Sequence, residues 1–385
     1  MFVSHLTLTD FRNYESIDLS FSRGATLFVG SNGQGKTNLV EALAYLSTLA
    51  SHRVSTDHAL IRSGQDSGVI RARLEHGERQ VLAEVQINRG GANRAQVNRS
   101  AIRTRELPRY FSSVLFAPED LALVRGEPSG RRRFMDELLV LRMPRFSGVL
   151  ADYERVLRQR NTLLKSARAS GVRGDQPRTL DIWDERLVSL GSEIIEARMA
   201  LVAELGPHVA AAYSSVAGTG HSASLAHSLS ILAPELVDDP IEDAPETAGM
   251  TATLAAGHFR DALARLRRSE LDRGLTLVGP HRDDLVLNLN GLPARGYASH
   301  GESWSFALSL KLASAEVLRH ESPSGDPVLM LDDVFAELDD SRRGRLAEAV
   351  EGYEQVLITA AVLEDVPERL AGSVVRIQAG RVVEE

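Results

Sequence analysis

The sequence predicts an α/β fold in which mixed parallel and antiparallel sheets surround a phosphate-binding loop, with a short helical arm inserted between the two ends of the chain. Three observations support this prediction: strand-like apolar runs occupy both ends, helix-spaced apolar residues fill the middle, and the glycine-rich segment Gly30–Thr37 follows a buried strand. The 385 residues are enough for one large domain or two smaller ones. We place the N-terminal part of the main domain at residues 1–112, the helical insertion at 113–272 and the C-terminal part at 273–385.

The N-terminal part contains strand-like segments and one early helix. Apolar and polar residues alternate over 6–11 and 17–21, and the continuously apolar run at 26–29 is typical of a buried parallel strand. Apolar residues from Leu39 to Leu46 then recur at helical spacing. The segments 69–74, 81–87 and 95–97, separated by glycine-containing turns, predict an antiparallel meander.

The middle of the chain is predicted to be helical. Apolar residues recur at intervals of three and four over 146–157, and a longer heptad-like series follows. Its members are Trp183, Leu187, Leu190, Ile194, Ala197, Leu201 and Leu205. About three heptads are long enough for an antiparallel arm whose tip is the glycine-rich stretch 169–177. We expect a surface loop at 233–249 and a further helix around 259–266.

The period typical of strands returns in the C-terminal part. We predict strands at 275–278, 285–289, 327–331, 356–359 and 374–377, and helices at 303–319 and 342–353. Strand-type sequence therefore lies on both sides of the helical insertion.

Composition excludes several classes of function. With no cysteine, the chain has neither disulfides nor thiolate metal sites, which suits a reducing compartment. No apolar run approaches the ~18 residues of a membrane span, and the first residues do not resemble a secretory signal, so we expect a cytoplasmic protein without a membrane partner. The net charge of −8 provides no general attraction for nucleic acid, so any such binding needs a local basic patch.

The glycine-rich segment has the spacing of a phosphate-binding loop, in which Gly and four further residues precede Gly-Lys-Ser/Thr. It comprises Gly30, Ser31, Asn32, Gly33, Gln34, Gly35, Lys36 and Thr37, between a predicted strand and a predicted helix. Glycines allow backbone N–H groups to surround an anion, and the start of the helix adds a favourable dipole. Lys36 is expected to bind the β- and γ-phosphates of ATP, and Thr37 to bind Mg²⁺.

A second motif, the apolar strand that ends in Asp332 and Asp333, supplies carboxylates. Mg²⁺ prefers oxygen ligands and retains several waters, so one carboxylate beside Thr37 is sufficient, and Asp332 fits that role. Asp333 is placed to orient or deprotonate the attacking water, and with Lys36 and Asp332 it makes the candidate catalytic set. The alternative is that Asp333 only caps the following helix.

Two further motifs indicate a family. Ser299, Gly301 and Glu302 begin a predicted helix in the order Ser-x-Gly-Glu, which resembles the signature motif of ABC-type ATPases, and Asp339 lies where these proteins have their D-loop. Because membrane spans are lacking, the resemblance is to the chromosome-maintenance branch with SMC- and Rad50-like ATPase heads, and within it to the RecF family. Further runs carry that resemblance: Leu8–Tyr14, Ser51–Arg53, Phe116–Leu121, Gly126–Asp136 and Val278–Leu285.

The resemblance implies an ABC-type ATPase head that sandwiches ATP between two copies of the chain arranged head to tail. Ser299, Gly301 and Glu302 would contact the γ-phosphate held by the other copy, and Arg12 and Asn13 would line the adenine or phosphate edge. It also implies a weak ATPase used as a switch. ATP would close a homodimer on double-stranded or gapped DNA, hydrolysis would release it, and RecR would be a partner in recombinase loading during DNA repair and replication.

Clustered arginines are the candidates for DNA binding. The cluster comprises Arg125, Arg131, Arg132, Arg133, Arg142 and Arg145, and Arg53, which resembles the arginine loop of related heads, is a separate candidate. Such a cluster can bind backbone phosphates without reading bases. The alternative is that these arginines pair with neighbouring carboxylates in a structural network. His281 and Arg282 either approach the nucleotide or the dimer seam, or have a structural role.

Two other classes of function stay open. An ABC-type DNA-processing enzyme would need an additional cluster of carboxylates for metal-dependent cleavage, and the sequence beyond Asp339 shows no such cluster. A structural, chromosome-organising ATPase head would need an arm longer than about three heptads.

Overall fold

The structure is a computed structural model of the chain, and it describes residues 1–169, 178–218, 220–233, 249–321, 325–370 and 372–383. Over these residues the chain divides into two compact units. Unit 1 comprises residues 1–124, 208–222 and 298–385, and unit 2 comprises residues 125–207 and 223–297. Each unit therefore draws on segments that are far apart in the sequence.

The first sheet of unit 1 is antiparallel. It contains β1 (Phe2–Phe11), β2 (Tyr14–Ser20), β4 (Ser67–His76), β5 (Arg79–Asn88), β6 (Arg94–Val97) and β7 (Ser100–Ile102), in the order β2-β1-β4-β5-β6-β7. Alternate side chains such as Leu6, Leu8, Ile70 and Val85 are buried in the core, as the alternating pattern requires. The predicted antiparallel meander is confirmed.

The second sheet of unit 1 is mainly parallel. It contains β3 (Gly24–Val29), β8 (Ser113–Phe116), β12 (Val328–Asp332), β13 (Gln355–Ala360), β14 (Ser373–Gln378) and β15 (Arg381–Val383), in the order β15-β14-β3-β13-β12-β8. Only the pair of β14 and β15 is antiparallel among these described strands. Because β3, β12 and β13 run parallel, their carboxyl ends meet at one edge of the sheet, where the candidate site lies.

Helices cover these sheets. Unit 1 contains α1 (Lys36–Thr48), α8 (His300–Glu321) and α9 (Asp340–Val350), and the short α2 (Leu121–Arg125) begins in it. Leu39, Leu43 and Leu46 of α1 are fully buried in the same core cluster as Phe28 of β3 and Leu357 of β13. That packing fixes the start of α1 at the end of β3, as the sequence predicts.

Unit 2 is mainly helical. Its helices are α3 (Pro128–Arg142), α4 (Phe146–Ala169), the part of α5 (Arg178–Ala217) up to residue 207, α6 (Ala252–Arg273) and the irregular turn α7 (Ala294–Tyr297). A small antiparallel sheet joins β9 (Ala223–Ser228), β10 (Asp284–Leu289) and β11 (Leu292–Pro293). The core of unit 2 includes Tyr153, Leu187, Ile194 and Phe259. Leu187 and Ile194 belong to the predicted heptad-like series.

The observed division differs from the predicted boundaries. Residues 113–116 form β8, which pairs with β12 in the parallel sheet, so unit 1 extends beyond residue 112. At the other boundary, β10 pairs with β9 inside unit 2, which therefore extends beyond residue 272. The predicted strand at 275–278 is wrong: Thr276 is instead held by the side chain of Asn161. Most of the predicted arm tip and of the loop at 233–249 lies outside the described residues.

Candidate nucleotide-binding site

The phosphate loop connects β3 to α1, and its backbone leaves no room for side chains at critical positions. Gly35 has φ of 115° and precedes α1; a Cβ there would lie 2.7 Å from Asn13 Nδ2 and 2.8 Å from the Tyr14 hydroxyl. No side chain caps the start of α1 at Gly35. The first amides of the helix are therefore suited to bind an anion.

The side chain of Lys36 lies inside this loop. It is 3% exposed, and its Nζ donates to the carbonyl oxygens of Gly30 at 2.7 Å and of Ser31 at 3.3 Å. A buried ammonium whose hydrogen bonds in the described residues go to backbone carbonyls is a strong attractant for a phosphate group. The loop therefore fits the triphosphate of a nucleotide, as the sequence predicts.

Asp332 and Asp333 end β12 at the same edge of the sheet. Asp332 is 3% exposed, and its Oδ1 accepts a hydrogen bond of 2.7 Å from the Thr359 hydroxyl on β13. Residues of β12, β13 and β3 are in register here, because Asp332 pairs with Thr359 and Ala360 pairs with Val29. Asp332 therefore lies beside the phosphate loop. Thr37 and Asp332 are the residues that would hold Mg²⁺, which takes its other ligands from phosphate and water.

Asp333 has a backbone and a side chain unlike those of an ordinary capping residue. Its φ of 51° is left-handed, and its amide donates to the Thr359 hydroxyl at 2.9 Å. Its side chain makes no capping hydrogen bond to the 3₁₀ turn Val334–Glu337 that follows. The alternative that Asp333 only caps a helix is therefore wrong. Its buried Oδ1 has no hydrogen-bond partner among the described residues, so its capacity to accept a hydrogen bond is unused there.

The electrostatic environment of Asp333 suits a proton acceptor. Burial raises the pKa of its carboxyl above the ordinary value, the charge of Lys36 lowers it, and the neighbouring carboxylates Asp332 and Asp365 raise it further. A raised pKa makes the carboxylate a stronger base.

Arg12 and Asn13 lie next to the loop, in the turn between β1 and β2. Arg12 forms a bidentate pair with Glu41 of α1, with N–O distances of 2.8 and 2.6 Å. Asn13 donates to the carbonyl of Gln34 at 3.1 Å and accepts from Asn38 at 2.7 Å. Both residues thus contact the loop or α1, and their contact with a nucleotide stays a prediction.

The signature-like segment forms the exposed start of α8. The Ser299 amide donates to the Glu302 carboxylate at 2.8 Å, and the Glu302 amide donates to the Ser299 hydroxyl at 3.3 Å, which is a capping box. A Cβ at Gly301 would lie 3.0 Å from the guanidinium of Arg342, so this face of the helix is close to α9. Ser299 itself is exposed. Its contact with nucleotide held by a second copy stays a prediction.

The D-loop candidate, Asp339, begins α9. Its carboxylate accepts from the Arg342 amide at 3.0 Å and from the Arg342 guanidinium at 2.7 Å. These bonds lower the pKa of Asp339 below its ordinary value. Within one chain Asp339 is therefore a helix cap, and its assignment to the D-loop stays a prediction.

The arginines proposed for DNA binding have different environments. The prediction is wrong for Arg131, which is 3% exposed and forms a bidentate pair with Asp284, both distances being 2.7 Å. Arg132 is half-buried and donates to the carbonyl of Asp283 at 2.8 Å. Arg125 and Arg133 are exposed, and Arg133 pairs with Glu137.

Arg53 is a further candidate for DNA binding, and for His281 the sequence leaves a functional and a structural role open. Arg53 lies near α1, where it donates to Asn38 Oδ1 at 3.0 Å and lies 3.6 Å from Glu41. His281 has a structural environment in unit 2: its Nδ1 lies 2.8 Å from the Tyr153 hydroxyl, and burial lowers its pKa to about 3. Arg53 therefore stays a candidate for DNA binding, and the structural alternative fits His281.

Two residues at the site were assigned no role from the sequence. Thr359 binds both Asp332 and Asp333, and the partly buried ring of His52 places Nε2 3.9 Å from Asp332 Oδ2. Thr359 is a polar residue at the end of a buried strand, which is a usable signal. His52 lies in the family-like run Ser51–Arg53, but nothing in that run indicates its contact with Asp332, which is far away in the sequence.

Together, the parallel sheet, the phosphate loop and the acidic strand end define an ABC-type, phosphate-loop ATPase head. The family model described as "RecF/RecN/SMC N terminal domain" matches residues 2–378. A relative from Clavibacter sepedonicus, described as a DNA replication and repair protein RecF, is 66% identical over 100% of this chain and 95% of its own length. The chain belongs to the RecF family of DNA replication and repair proteins.

Solved structures agree with this assignment. Two structures of the recombination mediator protein RecF in the RecFOR pathway, one with ATP and one designated RecF-ATPrS, are each 28% identical to this chain with a TM-score of 0.86. Each match covers 99% of this chain. It covers 96% of the RecF-ATP chain and 97% of the RecF-ATPrS chain. In the described residues, no helix is both long and apolar enough to cross a lipid bilayer.

Proposed function

We propose that this protein binds Mg²⁺–ATP in the site of unit 1 and that two copies close head to tail around two nucleotides, with DNA held by the closed dimer. The observation that carries the proposal is that one unit holds a phosphate loop with acidic partners and also exposes a helix start at Ser299. A helix start can donate to a phosphate, so a γ-phosphate can join the two copies. Hydrolysis removes that link and opens the dimer.

The chain's own residues account for a slow hydrolysis of ATP to ADP and phosphate. Lys36 binds the β- and γ-phosphates, and the backbone amides of the loop orient them. When bound, Mg²⁺ would neutralise charge on the phosphate oxygens beside Thr37 and Asp332. Asp333 accepts a proton from the attacking water, for which its raised pKa and unpartnered oxygen suit it.

The role proposed for the switch is in recombinational repair in the cytoplasm. The related structures belong to the RecFOR pathway, which supports RecR as a partner in recombinase loading and DNA as a ligand. With a net charge of −8 per chain, DNA must be bound by a local patch, and Arg53, Arg125, Arg132 and Arg133 are the candidates. We propose duplex or gapped DNA as the ligand, bound without sequence preference and without cleavage.

The sandwich is tested by measuring molar mass by light scattering with ATP, with ADP and without nucleotide. We expect a dimer only with ATP, and monomers for Lys36→Ala and Ser299→Arg. Ser100→Arg, at an exposed serine on the edge strand β7, is the matched control and should dimerise.

Mixing the two defective variants sharpens the test. A pair of Lys36→Ala and Ser299→Arg chains has one intact composite site, because the loop comes from one chain and the serine from the other. We expect the mixture to recover a partial ATP-dependent dimer that neither variant forms alone. Wild-type protein that stays monomeric at saturating ATP would refute the proposal.

A further inference from the structure

The C-terminal hairpin formed by β14 and β15 contacts the phosphate loop at both of its ends. At the first end, a Cβ on Gly30 would lie 2.2 Å from the carbonyl oxygen of Ile377, so the two backbones are in close contact. At the second end, the Ala379 amide donates to Gln34 Oε1 at 2.6 Å, and the Gly380 amide donates to the Gln34 carbonyl at 3.0 Å. The loop is thus bound by the hairpin through side chain and backbone.

These contacts orient the phosphate loop. The carbonyl of Gln34 accepts from the hairpin and also from Asn13 Nδ2, at 3.1 Å. A carbonyl fixed on one side of a peptide unit directs the N–H of the same unit to the opposite side. The N–H of Gly35 is therefore directed away from the hairpin, and its orientation depends on the bonds that Gln34 makes.

The turn of the hairpin is strained in a way that its contact with Gln34 offsets. Ala379 has φ of 49° and Gly380 has φ of 72°, which is the geometry of a two-residue hairpin turn with both residues left-handed. A non-glycine residue is rare in this conformation and persists when surrounding contacts hold it. Here the contact is the bond from the Ala379 amide to Gln34.

The hairpin also includes an edge strand of its sheet. β15 spans Arg381–Val383 at the edge of the sheet, and Val374, Val382 and Val383 are each about two-fifths exposed. A short edge element with few buried contacts has a low free energy of local opening. Its docking is therefore sensitive to any contact that is gained or lost at the phosphate loop.

We propose that the hairpin is a positioning element of the nucleotide site, and that Gln34 is the positioning residue that couples hairpin docking to ATP binding. This inference rests on the proposed ATP binding and adds the hairpin as a second element that controls it. Coupling is reciprocal, so ATP stabilises the docked hairpin, and a docked hairpin strengthens ATP binding by the same factor. A ligand that binds the exposed edge of the hairpin would therefore change the affinity of the site for ATP.

The experiment combines hydrogen exchange with ATP affinity in the full chain. In the absence of ATP, Gln34→Leu should accelerate exchange at the amides of Ala379 and Gly380, whereas Gln34→Glu, which retains an acceptor, should keep the exchange at Ala379 slow. ATP should slow exchange at both amides in wild type and have little effect on them in Gln34→Leu. Loss of one hydrogen bond should weaken ATP binding about 3- to 10-fold.

Gln378→Leu is the matched control, because Gln378 is an exposed glutamine of the same hairpin. It should leave both exchange rates and ATP affinity unchanged. Wild-type exchange at Ala379 and Gly380 in Gln34→Leu would overturn the proposal, and so would accelerated exchange together with unchanged ATP affinity. If wild-type protein binds no ATP, the proposed function is wrong, and so is the coupling to ATP. The exchange rates measured without ATP would still show whether Gln34 holds the hairpin.

Discussion

Removal of Arg131 distinguishes a structural arginine from a DNA-binding one. Its guanidinium makes two 2.7 Å bonds to Asp284, which is 7% exposed, and a third of 2.9 Å to the carbonyl of Gly126. Arg131→Ala would leave a buried carboxylate without its cation, a change that typically costs about 3–5 kcal/mol. Arg133, half-exposed and paired with Glu137 one helical turn away, should cost less than ~1 kcal/mol when replaced by alanine.

The two tryptophans make this measurable in each unit. Trp183 lies in unit 2 and Trp304 in unit 1, so a Trp304→Phe background reports urea unfolding of unit 2 by fluorescence. We expect Arg131→Ala to lower the unfolding free energy of unit 2 by about 3–5 kcal/mol. Replacing Asp284 as well, in Arg131→Met with Asp284→Leu, should recover most of it, because an apolar pair of similar volume is often as stable as a buried ion pair.

For DNA binding we expect the reverse: Arg133, rather than Arg131, is the candidate for contact with a phosphate. If Arg133 contacts a phosphate, Arg133→Ala should reduce the slope of log affinity against log salt by about 0.9, without a change in stability. An Arg131→Ala protein with wild-type unfolding and a reduced salt slope would refute the assignment of Arg131 to the core of unit 2.

Three further outcomes are expected. Asp333→Asn should bind ATP and dimerise but hydrolyse ATP at least ~10²-fold more slowly, measured as phosphate release; wild-type turnover would exclude Asp333 as the proton acceptor. Gly30→Ala places a Cβ 2.2 Å from the Ile377 carbonyl and should abolish ATP binding in calorimetry, whereas Gly344→Ala, with open space around its Cβ, should bind normally. Burial lowers the pKa of both His227 and His281 from 6.5 to about 3, so the folded state keeps both neutral and each contributes a loss of stability of about 1.4 kcal/mol per pH unit as the pH falls below ~6.5. His227→Leu should reduce the slope of unfolding free energy against pH by about 1.4 kcal/mol per pH unit and leave the share of His281; an unchanged slope would show that His227 is not one of its sources.

The phosphate loop and the acidic strand end could be predicted because their chemistry is local. The spacing from Gly30 to Thr37 lies within one stretch of chain, and the apolar run before Asp332 identifies its strand. β8 was missed because a strand of only four residues, Ser113–Phe116, is recognisable only by its pairing with β12, which is far away in the sequence. The bond from Ala379 to Gln34 could not be predicted either, since both residues are ordinary in their own segments.

The burial of Arg131 had a signal in the sequence. Arg131, Phe134, Met135 and Leu138 follow the helical spacing of three, four and seven, and all four are buried in the structure. The run of three arginines suggested a basic surface patch, but helical phase places its first member on the apolar face. Phase along the helix was therefore more informative here than the local density of charge.

The position of β3 between β13 and β14 has a consequence for biogenesis. β3 ends at Val29, whereas β13 begins only at Gln355, so the strand that carries the phosphate loop has neither neighbour until residues 355–360 have been translated. At ~5–20 residues per second, the nascent chain waits for tens of seconds with this apolar strand unpaired. A ribosome that stalls early therefore releases no fragment with a finished ATP site, and the exposed strand makes such a fragment a ready substrate for chaperones and proteases.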